Sequence, residues 1–94
     1  QSKFILRQFS RFLDENPSIT IAIQGHTDNE GNAEKNLDLS QRRADGVKDY
    51  LISLGIKASR LEAIGYGQTQ PKVPNTSAAN KARNRRTEFV IKNL

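Results

Sequence analysis

No cysteine occurs in the 94 residues, so neither a disulfide nor a thiolate metal site can hold this chain together. That absence says nothing of compartment. Histidine is nearly as scarce, with His26 alone. No apolar run approaches the roughly 20 residues needed to cross a bilayer. The opening stretch, Gln1 to Phe12, is not a signal peptide, because Lys3, Arg7 and Arg11 interrupt any apolar core. Internal repeats, low-complexity tracts and obvious linkers are missing too. The length fits one small domain, which buries a limited fraction of its surface and is only modestly stable. The expectation is a soluble domain cut from a larger protein, with any export signal or anchor elsewhere.

Charge is abundant but unevenly spread. Residues 1–27 carry three basic and two acidic side chains, residues 28–49 four and six, and residues 57–92 eight and two. The surplus behind the net charge of +5 therefore lies in the C-terminal half. Such a surplus suits an anionic partner, or simply a solvated face that keeps the domain soluble; the second reading is preferred.

Apolar spacing divides the chain into alternating elements. Ile5 or Leu6, then Phe9, Phe12 and Leu13 form a helical stripe. Asn16-Pro17 ends it, since a residue before proline avoids helical geometry. Ile19 to Gly25 alternates like a strand, with Ile19, Ile21 and Ile23 on one face. After a polar loop from His26 to about Asn36, a helix is predicted from Leu37 or Asp38 to Leu54, stopped by Gly55, with Leu39, Val47, Tyr50, Leu51 and Leu54 as its stripe. Arg60 to Tyr66 reads as a second strand. Pro71 and Pro74 break the loop that follows. Ser77 to about Arg83 suits a short helix capped by Thr76 or Ser77, and Thr87 to Ile91 a last strand. Strand–helix–strand units normally place their strands parallel. The fold class expected from this order is α/β, a small sandwich with helices covering one or both faces of the sheet.

Two charged residues stand out. Arg43 lies four residues after Leu39 and four before Val47, in the helix column that should face the protein. Its neighbour Arg42 points about 100° away, towards solvent. A guanidinium on an inner stripe must be paired or lie in a wet pocket. Asp28 follows the carboxyl end of the first strand, where open α/β sheets place ligand crevices. It can pair with Arg43, stabilise a turn with Asn29 and Gly31, or face Arg43 across a gap. The last arrangement suits a zwitterion, whose ammonium meets one residue and whose carboxylate meets the other. The residues alone leave these readings open.

Four motifs occur in order: Gly25-His26-Thr27-Asp28-Asn29 with Gly31; Asn36 and Leu39-Ser40-Gln41-Arg42-Arg43-Ala44; Gly65-Tyr66-Gly67 with Pro71; and Asn84-Arg85-Arg86-Thr87-Glu88. Together they resemble the OmpA-like C-terminal domain family, which includes the peptidoglycan-associated lipoprotein and the stator protein MotB. The resemblance runs from Ile19 to Ile91. It implies a single domain over residues 1–94, a two-layer α/β sandwich of the βαβαβ type with the helices packed on a mixed sheet, that binds peptidoglycan non-covalently through the diaminopimelate of the stem peptide. It further implies a periplasmic domain of an outer-membrane or envelope protein of Gram-negative bacteria. The family's Thr-Asp aspartate falls on Asp28, and the arginine of Leu-Ser-x-x-Arg-Ala on Arg43 rather than Arg42. These two are expected to hold the ammonium and carboxylate of diaminopimelate. Thr27 and Asn36 fall on pocket positions, while Leu39, Ala44 and Val47 are expected to wall the pocket. One arginine of the Asn84-Arg85-Arg86 run is expected to support the site, with Arg86 favoured for its place beside the last strand. One departure is that the strand with a Phe-Asp pattern that usually opens the family's domain is absent, and the expectation is a domain truncated there.

Other chemistries have weaker support. A hydrolase would recruit His26 with Ser40 and Asp28, yet nothing resembles a nucleophile elbow. Asp28, Glu30, Asn32 and Glu34 alternate like a calcium loop, but Gly31 stands fourth rather than sixth and the terminal bidentate glutamate is missing. No metal, cofactor or enzymatic activity is expected. The runner-up is an anionic-polymer or nucleic-acid module using Lys81, Arg83, Arg85 and Arg86, with Tyr66 to stack on a base; no recognised nucleic-acid motif accompanies them, and no such partner is expected.

Overall fold

The computed structural model describes residues 3–93. Helix α1 (Lys3–Glu15) leads into β1 (Ile21–His26), then α2 (Ala33–Ser53), a single 3₁₀ turn (Ala58–Arg60), β2 (Leu61–Gly67), α3 (Ala78–Asn84) and β3 (Arg86–Ile91). The strands form one sheet in the order β2-β1-β3. Strand β1 is therefore central, and Ile21 and Ile23 are wholly buried.

The sheet is mixed, as expected. The β1–α2–β2 unit is parallel, with Ile21 opposite Leu61 and Ile23 opposite Ala63. Strand β3 instead runs antiparallel to β1, with Ile21 opposite Ile91 and Gly25 opposite Thr87. Helix length explains the reversal. Seven residues of α3 rise only about 10 Å, too short to carry the chain back down a strand of about 20 Å. The chain re-enters the sheet at the end where β2 left it.

Both long helices lie on the face of Ile21, Ile23, Leu61 and Phe89. Leu6 and Leu13 anchor α1, and Phe9 meets Phe89 with ring centroids 4.5 Å apart. Leu6 rather than Ile5 carries the stripe, and Phe12 is 40% exposed, stacked on Phe9. The Arg60 guanidinium donates to the carbonyls of Leu13, Asn16 and Ile19. It thereby satisfies acceptors left over where α1 ends.

Helix α2 begins four or more residues before the predicted start. Asn32 caps it, its side chain accepting from the N–H of Glu34 and Lys35. Ala33-Glu34-Lys35 are good helix formers without apolar period, so hydrophobic spacing alone missed this turn. The buried stripe also differs from the predicted one. It runs through Asn36, Ser40, Ala44, Val47 and Leu51, while Leu39, Tyr50 and Leu54 lie on its flanks.

The stripe is small because α2 lies almost on the backbone of the sheet. Gly25 and Gly65 face each other across β1 and β2. A Cβ on Gly25 would collide with the Ser40 carbonyl, and one on Gly65 with the Gln41 backbone. At this distance α2 side chains reach the strand directly. The Gln41 amide donates to the Ala63 carbonyl and accepts from Gly65 N–H, and Ser40 Oγ accepts from Gly67 N–H. Gly65→Ala is accordingly expected to lower stability by about 1–3 kcal/mol through overpacking. Urea denaturation checks this; an unchanged midpoint would show that the helix can lift without cost.

Candidate functional site

The carboxyl end of β1 opens into the loop that precedes α2, and hydrogen bonds hold several of that loop's polar groups in place. Thr27 N–H donates to the Gly67 carbonyl at 2.9 Å, and its hydroxyl to the Asp28 carbonyl at 2.8 Å. The Asn36 side-chain amide, pointing back from the first turn of α2, donates to the Glu30 carbonyl at 2.9 Å and Gln68 Oε1 at 3.0 Å. Thr27 and Asn36 are both buried. They therefore hold the Asp28 backbone in place from behind.

The Asp28 side chain is 9% exposed and fully engaged on one side. Oδ1 accepts from Glu30 N–H at 3.0 Å, and Oδ2 from Arg85 Nη1 at 2.6 Å. The Glu30 N–H and the Arg85 guanidinium hold its carboxyl below the usual value of 3.8. A depressed carboxylate pKa contributes stability at all pH above the ordinary value and loses it as pH falls through the lowered one. The loop tether should therefore survive from neutrality to about pH 4 and fail only in stronger acid. An NMR titration of the Asp28 carboxyl is expected to show a midpoint below 3.8; a midpoint at or above it would mean that the Arg85 contact does not persist in solution.

A second pair reinforces the first, with Glu30 meeting Lys81 Nζ at 3.0 Å. Lys81 and Arg85 are four residues apart, one helical turn, so α3 grips the loop at two points.

Asn84, Arg85 and Arg86 divide three tasks. Asn84 is wholly buried. It accepts from Lys72 and Val73 N–H and donates to the Val73 carbonyl and Asn75 Oδ1, which pins the 72–75 loop. Arg85 takes Asp28. Arg86 pairs with Glu88 at 2.6 Å and donates to the Gln70 carbonyl. Arg86, the arginine favoured from sequence, is thus not the one that meets Asp28. It belongs to β3 and reaches along its own strand to Glu88, whereas Arg85 caps α3 and projects towards the β1 end.

A cleft of about 360 Å³ lies here, lined by Gly25, His26, Arg43, Arg85, Arg86 and Thr87. It gathers Arg43 from α2 with Arg85 and Arg86 from the other side of the sheet end. Arg43 is exposed, not inward-facing. The core column of α2 runs through Ala44 instead, and Arg43 flanks it over the cleft. Arg42 is exposed as expected and pairs with Asp38 at 2.9 Å. That surface pair contributes little. Arg43 itself has no hydrogen bond or ion-pair partner among the described residues. Asp28 and Arg43 do not pair with each other.

Three residues expected to wall the pocket do not line this cleft. Ala44 and Val47 belong to the hydrophobic core against the sheet, and Leu39 is half-buried on the flank of α2. Close approach of α2 at Gly25 and Gly65 turns these positions inward. Thr27 and Asn36 act from behind Asp28, and none of the three lines the cleft; Asp28 adjoins it through its ion pair with Arg85.

His26 is 3% exposed, and neither ring nitrogen has a hydrogen-bond partner among the described residues. It stacks on Tyr66 at 5.4 Å, with Nε2 3.6 Å from Glu88. Burial, aided by Arg86 and opposed by Glu88, lowers its pKa. Ser40 is spent on the Leu37 carbonyl and Gly67 N–H, and Asp28 on Arg85. The three conceivable hydrolytic residues therefore form no relay. Asp28, Glu30 and Asn32, read above as calcium-like, are used in two ion pairs and a helix cap.

A profile of the OmpA family matches residues 1–85. This chain belongs to the OmpA family. Outer membrane porin F of Pseudomonas fluorescens is 40% identical over 86 residues, covering 92% of this chain and 26% of the porin. The peptidoglycan-associated lipoprotein of Pasteurella multocida is 38% identical over 82 residues, covering 87% of this chain and 55% of that protein. The chain thus spans between a quarter and about half of these relatives. Among solved structures, the peptidoglycan-associated lipoprotein from Burkholderia pseudomallei superposes with a TM-score of 0.90 at 35% identity, over 98% of this chain and 80% of that one. The α/β sandwich with a mixed sheet is therefore the OmpA-like fold. The named relatives are porins and peptidoglycan-associated lipoproteins rather than enzymes. Among the described residues no helix is long and apolar enough to cross a membrane.

Proposed function

We propose that this OmpA-family domain binds peptidoglycan non-covalently, with the cleft at the end of β1 taking the free end of diaminopimelate in the stem peptide. Arg43 receives the carboxylate and Asp28 the ammonium. One observation carries the reading: a guanidinium without a hydrogen-bond or ion-pair partner among the described residues stands on a cleft whose other arginines are already neutralised. Arg85 is balanced by Asp28 and Arg86 by Glu88. A carboxylate has about four acceptor positions, and Asp28 uses two, which leaves room for an ammonium. The cleft volume of about 360 Å³ suits an amino-acid side-chain end, at the small limit of ligand pockets. The Pasteurella multocida relative is a peptidoglycan-associated lipoprotein. By the same token, we place the domain in the periplasm, on a parent protein tethered to the outer membrane by a part outside this chain.

Sedimentation with purified sacculi tests the proposal. The domain should pellet with diaminopimelate-type walls, be released by free diaminopimelate, and fail to pellet with lysine-type walls. Binding that free diaminopimelate cannot compete, and that falls steeply with salt as phosphate binding does, would favour the anionic-polymer reading instead.

A further inference from the structure

We infer that the cleft selects its ligand by a free carboxylate and is tolerant of losing the ammonium, so that a stem peptide carrying an amide at that carboxylate is rejected. The inference rests on the diaminopimelate reading and adds a ranking of its two contacts. Three charged side chains line the cleft, Arg43, Arg85 and Arg86, and Asp28 and Glu88 join them from outside its lining through ion pairs to Arg85 and Arg86. Two close ion pairs cancel four of these, Asp28 with Arg85 and Glu88 with Arg86, each at 2.6 Å. The residue is one positive charge, on Arg43.

An incoming ammonium meets a carboxylate whose charge Arg85 already compensates, near the uncompensated Arg43 guanidinium that repels it. Its net gain is small. An incoming carboxylate meets a planar fork of donors with no competing acceptor, the geometry that favours bidentate pairing. An amide has nearly the same shape, but replaces one acceptor oxygen with a donor NH₂. Guanidinium only donates, so the amide both loses the charge and sets donor against donor.

Calorimetry on this domain with four stem tripeptides tests the ranking: one ending in diaminopimelate, its side-chain amide, the analogue with hydrogen in place of the side-chain amine, and the lysine counterpart. The amine-deleted peptide should bind within about threefold of the parent. The amide and lysine peptides should each bind at least about tenfold more weakly, the scale of a hydrogen bond to a charged group. Arg43→Gln should bind acid and amide alike, an equality that a merely structural role for Arg43 would not produce. Equal losses for the amine-deleted and amide peptides would overturn the ranking while leaving diaminopimelate recognition intact. Failure of the parent peptide itself to bind would instead overturn the diaminopimelate reading, and the ranking with it.

Discussion

Arg43→Ala is expected to abolish co-sedimentation with sacculi while Arg42→Ala leaves it unchanged. The two residues are adjacent, identical in chemistry and both exposed. They differ in what surrounds them. Arg42 lies across one helical turn from Asp38, in a pair worth a few tenths of a kcal/mol. Arg43 overhangs the cleft with no hydrogen-bond or ion-pair partner among the described residues. Deleting it removes a charged hydrogen-bonding group from the ligand, about 1.5–3 kcal/mol, or roughly tenfold to a hundredfold in affinity. Asp28→Ala should match the loss by another route: it leaves Arg85 and Glu30 N–H without their acceptor and releases one of the two points at which α3 holds the loop. Circular dichroism should show Arg43→Ala folded like the parent, since its side chain supports nothing. If Arg42→Ala proves as damaging as Arg43→Ala, the site is not this cleft.

The largest loss of stability is expected at Asn84, a residue that touches no proposed ligand. Asn84→Ala removes four hydrogen bonds at once and leaves Lys72 N–H, Val73 N–H and the Val73 carbonyl without partners. Buried donors and acceptors orphaned in this way cost about 1–3 kcal/mol each. Water reaching the loop, where Lys72 is exposed, offsets part of this, so a net loss of roughly 2–4 kcal/mol is expected. In a domain of this size that lowers Tm by about 10–25 °C. Because Arg85 and Arg86 follow directly, the same substitution should weaken wall binding even at temperatures where the domain remains folded. A Tm shift below about 3 °C would mean that water replaces the amide fully and that the loop is not anchored there.

How much of this was legible beforehand depended on whether the relevant physics is local. Alternating isoleucines at 19, 21 and 23 announced β1, and the Asn16-Pro17 stop announced the end of α1, because backbone geometry and one-face burial act over a few residues. The start of α2 was missed for the same reason, since its first turn is set by an Asn32 cap and carries no apolar period. The resemblance implies Ala44 and Val47 as walls of the pocket, and both lie in the core against the sheet. The close seating of α2 on Gly25 and Gly65 decided otherwise.

The partner of Asp28 illustrates what distance in sequence conceals. Residues 28 and 85 are 57 positions apart, and Arg43, Arg85 and Arg86 all carry the same charge. An ion pair is decided within an ångström or two, by how α3 meets the sheet end. No spacing rule reaches that far. By itself, the sequence determined the succession of helices and strands, the family, and the short runs from which the site is drawn, because each follows from local patterning. Only the tertiary structure decided that Arg85 takes Asp28, that Arg86 takes Glu88, and that Arg43 is left with its guanidinium uncompensated on the cleft.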